Sequence, residues 1–144
     1  DAKNEIEYGL KQCDILKISD NEVEFLCGTT DYAAAARELA KNYDIKIVFV
    51  TLGKAGSLAF YNDIMVEEPA IIQKGTVETT GAGDTFCASA LNFILDYGID
   101  NLDENLLHEI LAFANAAASI ITTRKGALRV MPCKSEVEDL MRNS

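Results

Sequence analysis

One apolar run near the middle of the chain, IKIVFVTLG, most constrains what this sequence can fold into. Its residues, Ile45 to Gly53, are mostly β-branched or aromatic and do not alternate between polar and apolar side chains. Such a run is typical of a strand that is buried on both faces, in a sheet covered by helices on either side. The run therefore predicts a central strand of an α/β protein.

Strand and helix patterns alternate around this central run. A short apolar segment, DILKI, precedes it, and two further strand patterns, SLAFYN and DIMVEE, follow it and meet at Asn62-Asp63 as a predicted β-hairpin. Helical patterns cover Glu5 to Gln12, SDNEVEFLCG, DYAAAARELAKNY, Ala82 to Tyr97, Asp103 to Thr123 and Ser135 to Arg142. This order predicts a mostly parallel sheet flanked by helices. With 144 residues and no repeat, low-complexity segment or linker, residues 1–144 are predicted to form one domain.

Charge and cysteine usage exclude several classes of protein. Acidic residues outnumber basic ones 23 to 13, for a net charge of −10, and no basic cluster opposes that charge. Nucleic acid and anionic membranes are therefore not expected partners. The four cysteines match no zinc motif, so we expect buried thiols in a reducing compartment. No signal-peptide or membrane-spanning pattern is recognised, and a cytoplasmic location is expected.

Three polar or glycine-rich segments follow predicted strands. They are Ser19 to Glu22, Thr51 to Gly56 and Thr79 to Asp84. In sheets of this kind, ligands bind beyond the carboxyl ends of the strands. We therefore expect the three segments to meet at one edge of the sheet and to form a binding site there.

The third of these segments, TTGAGDTF, places two glycines and one carboxylate where a turn becomes a helix. Gly81 and Gly83 let the backbone turn tightly and approach a ligand closely. The free N–H groups and the positive dipole end of the following helix form an anion hole suited to a phosphate. Asp84 can accept a proton from a hydroxyl while these amides hold a phosphoryl group. From the local residues alone, the alternative stays open that Asp84 only stabilises the start of the helix.

Four motifs follow one another along the chain: DILKISDNEVEFLCG, VTLGKAGSLAFY, ETTGAGDTF and FANAAASIITTRKGA. In this order and spacing they resemble the C-terminal half of the ribokinase-like (PfkB) carbohydrate kinases, and the first is most similar to fructokinases. The resemblance covers nearly the whole chain and implies a ribokinase-like, Rossmann-like three-layer α/β/α fold. It implies ATP-dependent phosphorylation of a small sugar, with ATP and Mg²⁺ as cofactors, by a homodimeric full-length protein.

The resemblance also implies that an N-terminal sugar-binding half and a lid are absent from residues 1–144, so this chain alone is expected to be inactive. Within the chain it assigns the catalytic base to Asp84 and the anion hole to Gly81, Ala82 and Gly83. The residues that match the family's nucleotide site are Lys17, Ser19, Thr51, Gly53, Lys54, Gly56 and Asn115, the last of them near the adenine ring.

Two of the family's ion-binding motifs match imperfectly. In the N-x-x-E motif, which places magnesium and phosphates, Glu22 takes the glutamate position, with Mg²⁺ bound through water, and Ser19 takes the asparagine position. A frame using Asn21 and Glu24 would shift the helix register, and a simple capping box also explains Ser19 to Glu22. Glu78 replaces the usual aspartate of a monovalent-cation loop that would include Thr80 and Gly126, so K⁺ dependence is left open.

Two alternatives to a fructokinase-type enzyme remain open from the sequence. With the same fold, the acceptor would be ribose, a nucleoside or 2-keto-3-deoxygluconate. From another class, a non-catalytic nucleotide-binding module would need the anion hole but not Asp84. His108, the single histidine, has no cysteine or carboxylate pair at metal spacing and is interpreted as a surface residue.

Overall fold

The computed structural model describes residues 1–77, 79–126 and 131–144. Its elements in chain order are α1 (Ala2–Leu10), β1 (Ile15–Ser19), α2 (Asp20–Cys27), α3 (Tyr32–Tyr43), β2 (Ile47–Thr51), β3 (Ser57–Tyr61), β4 (Ile64–Glu68), α4 (Ala82–Tyr97), α5 (Glu104–Thr122) and α6 (Lys134–Arg142). A short 3₁₀ turn, Gly53–Ala55, lies between β2 and β3. The predicted order of strands and helices is confirmed, and the helix bounds differ from the predicted ones by a few residues.

The four described strands form one sheet in the order β1-β2-β3-β4. β1 and β2 are parallel, whereas β2 and β3, and β3 and β4, are antiparallel. The α/β class is confirmed, but the prediction of a mostly parallel sheet is corrected for these strands to a mixed sheet. The physical reason is that only residues 52–56 join β2 to β3, and a parallel connection needs a crossover of roughly a dozen residues or more.

The predicted hairpin between β3 and β4 is confirmed at Asn62-Asp63. Both residues have positive φ angles, 46° and 61°. Two-residue hairpin turns of this conformation match the right-handed twist of the strands, and Asn and Asp tolerate it better than most residues do.

The two faces of β2 are buried against different sets of helices. Ile47 and Phe49 belong to an apolar cluster with α4 and α5, whereas Val48 and Val50 belong to a second cluster with α2 and α3. All four side chains are at most 1% exposed. The uninterrupted apolar run therefore has the cause expected from the sequence, which is burial of both faces of the central strand.

Two further expectations are answered by the fold. Within residues 1–77, 79–126 and 131–144, no helix combines the length and the apolar character that a membrane span requires. All four cysteines are free thiols, but Cys133 is exposed and the other three are only half-buried, so the expectation of buried thiols is corrected. Cys133 is the N-cap residue of α6 and lies at the exposed end of that helix.

Candidate active site

A cavity lies between the carboxyl end of β2, the segment after β4, and the helices α4 and α5. It is lined by Thr51, Gly53, Lys54, Gly56, Ala70, Ile71, Ile72, Gln73, Thr76, Thr79, Ala82, Gly83, Phe86, Asn115, Ala118, Ser119 and Thr122. The space between these residues, counted together with the solvent at its open side, is about 740 Å³. Seven of the residues predicted from the sequence to bind nucleotide or phosphate therefore share one cavity.

The connection from β2 to β3 lies close against the end of β4. Gly56 has a φ of 114°, and a Cβ atom on it would lie 2.1 Å from the carbonyl oxygen of Glu68. Only glycine fits this position, because a side chain would collide with backbone that cannot move away. The close approach positions Thr51, Gly53 and Lys54 as one wall of the cavity.

Lys17 approaches the site from β1 although it does not line the cavity. It is paired in the sheet with Phe49, whose ring packs edge to face on Phe86 of α4 with centroids 6.0 Å apart. This register directs Lys17 to the α4 side of the sheet. Its Nζ lies 3.0 Å from the position that a Cβ atom on Gly83 would occupy. The ammonium group is thus held beside the first turn of α4, where it can neutralise a bound anion.

The start of α4 has no capping side chain. Gly81 is in the left-handed conformation, with a φ of 82°, and serves as the N-cap residue. The N–H of Ala82 donates to the carbonyl oxygen of Thr79 at 3.2 Å, and the N–H of Thr85 donates to the carbonyl oxygen of Gly81 at 2.9 Å. Between them, the N–H groups of Gly83 and Asp84 have no partner among the described residues. The structure therefore leaves donors at the cavity edge that a phosphate can use.

Asp84 is exposed in the first turn of α4 and does not point into the apolar interior. The buried residues of this turn are its neighbours Thr85 and Phe86. Ala82 and Gly83, in the same turn, line the cavity. A carboxylate in this position is accessible, as a proton acceptor for a bound hydroxyl must be.

Ser19 and Glu22 form the capping box that the sequence left as an alternative. The N–H of Ser19 donates to Glu22 Oε2 at 2.7 Å, and the N–H of Glu22 donates to Ser19 Oγ at 3.3 Å. The Ser19 N–H, helped by the Ser19 hydroxyl and the positive charge of Lys17, lowers the pKa of the Glu22 carboxyl, against a smaller opposing effect of burial. Ser19 also lies opposite Thr51 at the ends of the parallel strands, so the capping box adjoins the cavity.

The competing frame of the same motif used Asn21 and Glu24. Glu24 instead accepts a hydrogen bond from the hydroxyl of Tyr32 at 2.7 Å, which joins α2 to α3. Within the described part of the chain, no group of three or more His, Cys, Asp or Glu side chains could hold a metal ion.

Asn115 lines the cavity, but its side-chain amide is already engaged. Its Nδ2 donates to the carbonyl oxygens of Glu68 and Pro69 at 3.1 and 3.2 Å, and its Oδ1 accepts from the Ser57 hydroxyl at 2.8 Å. The residue is 6% exposed. Asn115 therefore ties α5 to β3 and to the end of β4, and shapes the cavity wall through these bonds.

Part of the cavity was missed by the sequence analysis. The segment after β4 contributes Ile71, Ile72 and Gln73, and α5 contributes Ser119 and Thr122. The first segment has no regular pattern from which a position can be read. Ser119 and Thr122 of α5 lie in an apolar helical pattern that is typical of core residues. Only their hydroxyl groups distinguish them from their neighbours in the sequence.

The predicted monovalent-cation site involves three residues. Glu78 lies outside the described residues. Thr80 is exposed, and Gly126 has a φ of 103° at an exposed position after α5. The cation site stays a prediction.

Comparison with known proteins agrees with the α/β fold. Residues 1–133 match the model of the pfkB family of carbohydrate kinases. The chain is 34% identical over 142 residues to fructokinase-2 of Solanum habrochaites, covering 99% of this chain and 43% of that protein. The structure of a fructokinase with bound ATP from Xylella fastidiosa superposes with a TM-score of 0.85 at 25% identity, over 99% of this chain and 47% of that one. An Arabidopsis thaliana ribokinase complexed with ribose and ATP gives a TM-score of 0.75 at 32% identity, over 94% of this chain and 43% of that one.

The chain belongs to the pfkB family of carbohydrate kinases. The resemblance stated from the motifs is confirmed, as is the ribokinase-like α/β fold. The chain spans less than half the length of these relatives.

Proposed function

We propose that the protein transfers the γ-phosphoryl group of ATP to a hydroxyl of a sugar, as a fructokinase-type enzyme. The observation that carries the proposal is the uncapped, glycine-rich start of α4 at the edge of the cavity, with exposed Asp84 in the same turn. The names of the relatives support ATP as the donor and a sugar as the acceptor.

In this proposal each group at the start of α4 has a separate task. Asp84 takes the proton from the acceptor hydroxyl, whose oxygen then bonds to the γ-phosphorus while the bond to the β-phosphate oxygen breaks and ADP leaves. In the predicted anion hole of Gly81, Ala82 and Gly83, the free N–H of Gly83, together with that of Asp84, holds the phosphoryl oxygens as charge moves between donor and acceptor. Lys17, held beside Gly83, neutralises phosphate charge at the same place.

The nucleotide lies in the cavity in this proposal. Thr51, Gly53, Lys54 and Gly56 line it on the side of β2. Asn115 is bonded to Ser57, directly after Gly56, and to the end of β4, so its engaged amide fixes the shape of the site rather than offering a free donor. Ser19 contributes from the neighbouring strand end.

Magnesium fits this arrangement through Glu22. One of its oxygens accepts the Ser19 N–H, and Oε1 has no hydrogen-bond partner among the described residues. Mg²⁺ usually keeps several waters and binds through one or two carboxylates together with substrate phosphates. Mg²⁺ bound with ATP would supply neutralisation of phosphate charge, and Glu22 would hold it through water.

The proposal also covers the full-length protein, a monovalent cation and the cellular compartment. The full-length protein is a homodimer with a sugar-binding half and lid beyond residues 1–144, and this chain alone is inactive. A monovalent cation such as K⁺ binds at the loop predicted from Glu78, Thr80 and Gly126. The four free thiols favour a reducing cytoplasmic compartment.

A second candidate acceptor is ribose, favoured by the 32% identity to the ribokinase complexed with ribose and ATP. A nucleoside or 2-keto-3-deoxygluconate belongs to the same class of acceptor. A nucleotide-binding module without catalysis is disfavoured by Asp84. A free carboxylate beside an anion site repels phosphate, and a module that only binds nucleotide has no chemical step that needs it.

A coupled kinase assay of the full-length protein tests the proposal. ADP formation is measured with Mg²⁺–ATP against fructose, ribose, nucleosides and 2-keto-3-deoxygluconate, with and without K⁺. We expect the highest kcat/KM with fructose. Transfer to ribose alone would replace the acceptor, and ATP binding without transfer to any of these compounds would overturn the kinase in favour of a binding module.

A further inference from the structure

Two buried hydroxyl groups, those of Thr85 and Ser119, have no hydrogen-bond partner among the residues that the structure describes. Thr85 faces a second cavity between α4, α5 and α6. Ser119 lines the candidate active site and is 9% exposed. A buried hydroxyl without a partner is costly in a folded protein, and a ligand bound in the cavity that Ser119 lines can remove this cost by pairing with it.

The polar groups next to Ser119 on α5 are already used. The Asn115 amide, one helical turn earlier, bonds to Ser57, Glu68 and Pro69. The Thr122 hydroxyl donates to the carbonyl oxygen of Ser119 at 2.7 Å. Among these three side chains, only Ser119 makes no hydrogen bond to the described residues.

Much of the cavity wall is apolar. Ile71, Ile72, Phe86 and Ala118 share the cavity with Ser119. Apolar walls beside a buried hydroxyl that has no partner suit a flat heteroaromatic ring, whose faces contact the side chains and whose edge carries hydrogen-bonding nitrogens. The phosphate-binding amides of Gly83 lie on α4 at the same cavity, so one nucleotide can reach both groups.

We propose that the Ser119 hydroxyl hydrogen-bonds to the edge of the purine ring of bound ATP and determines which nucleobase the site accepts. This inference rests on the proposed function, because it takes the cavity to be the ATP site. A hydroxyl both donates and accepts, so it pairs with a ring nitrogen or with the exocyclic amine. A base without the matching group would leave the hydroxyl buried and unpaired, and this penalty is the source of selectivity.

The variant Ser119→Ala in the full-length protein tests the proposal. Calorimetry measures the Kd for ATP and, separately, for inorganic triphosphate. We expect the Kd for ATP to rise about 3- to 10-fold, the range that one neutral hydrogen bond produces, and the Kd for triphosphate to stay unchanged. The ligand-free variant is expected to melt at the wild-type temperature or higher, because it no longer buries an unpaired hydroxyl.

The matched control is Thr123→Val. Thr123 lies just beyond the end of the same helix, and its hydroxyl donates to the carbonyl oxygen of Ile120 at 2.7 Å. It does not line the cavity. This control loses a hydroxyl of the same region but is expected to keep both dissociation constants.

Analogue nucleotides identify the contact. We expect wild type to bind one of 1-deaza-, 3-deaza- or 7-deaza-ATP or inosine triphosphate more weakly than ATP, by the factor that Ser119→Ala causes. The variant is expected to bind that analogue and ATP equally.

The outcomes separate the two proposals. Unchanged ATP affinity in Ser119→Ala, an equal loss for ATP and triphosphate, or no analogue distinguished by wild type overturns the role of Ser119 and leaves the kinase intact. A wild-type protein that does not bind ATP at all overturns the proposed function together with this inference.

Discussion

The starts of α2 and α4 adjoin the same cavity, yet they are built in opposite ways. α2 begins at Ser19, whose hydroxyl and N–H exchange hydrogen bonds with Glu22. α4 begins at Gly81 in a left-handed conformation, with no side chain to cap it. The first helix satisfies its own free N–H groups, whereas the second leaves them for something else.

The difference shows how a protein can divide stability and binding between neighbouring helices. A capping box typically stabilises a helix by about 1 kcal/mol, and α4 forgoes that stabilisation. α4 is held instead by packing, through Phe86 on Phe49 and through its long contact with α5. Because the buried side of α4 packs against the sheet and α5, the helix is stable without a cap, and its first turn is left available to a ligand.

The largest effect is expected from removing the Asp84 carboxylate in the first turn of α4, which tests whether this uncapped helix start serves catalysis. In the full-length protein, Asp84→Ala is expected to lower kcat by about 10²–10⁴ with little change in the Kd for ATP, because a general base acts in the transition state more than in nucleotide binding. Glu104→Ala, in the first turn of α5, is the control and is expected to keep wild-type kcat. Turnover near wild type in Asp84→Ala would show that Asp84 only stabilises its helix.

A change of intermediate size comes from adding one methyl group to the uncapped turn. Gly83→Ala places a Cβ atom 3.0 Å from Lys17 Nζ, so the flexible lysine end must move away from the phosphate site. We expect kcat/KM to fall about 10- to 100-fold. Stability is expected to rise by about 0.5–1 kcal/mol because alanine favours helix over glycine.

The control for this variant is Gly9→Ala in α1, where a Cβ atom meets no atom within 4 Å. Urea unfolding and steady-state kinetics are measured on both variants. Gly9→Ala is expected to gain similar stability and keep wild-type kcat/KM. Equal kinetics in the two variants would exclude a role for the α4 turn in phosphoryl binding.

The smallest expected effect comes from removing the charge of the capping residue Glu22 at the start of α2. Glu22→Gln is expected to lower the free energy of unfolding by about 0.5–1 kcal/mol at pH 7. Since folding lowers the pKa of Glu22 from 4.5, its contribution is present above that pH and is lost as the pH falls through the folded-state pKa. Urea unfolding of wild type and variant should therefore converge in acid.

Glu109→Gln, at an exposed position of α5, is the control and should follow wild type throughout this titration. If Glu22 also holds Mg²⁺ through water, Glu22→Gln weakens binding of Mg²⁺–ATP but not of ATP in the presence of a chelator. Loss of stability at pH 7 that persists unchanged at low pH would argue against the capping carboxylate as its cause.

Much of the site was predictable because its signals are local. The glycines before Asp84, the Ser19 to Glu22 cap and the position of Thr51 after a buried strand all depend on residues near one another in the chain. The tertiary contacts that close the site were not predictable in this way. Asn115 joins Ser57, more than fifty residues earlier in the chain, and no local pattern indicates that its amide is already bonded.

The sequence by itself determined where strands and helices form and which helix starts with glycine instead of a cap, because these depend on backbone propensity and on side chains within one turn. Only the tertiary structure decided that the sheet is mixed, that Lys17 reaches α4 across the sheet and that the Ser119 hydroxyl is buried without a partner. These features arise from which distant segments pack together, and packing of this kind is set by the shape of the whole core.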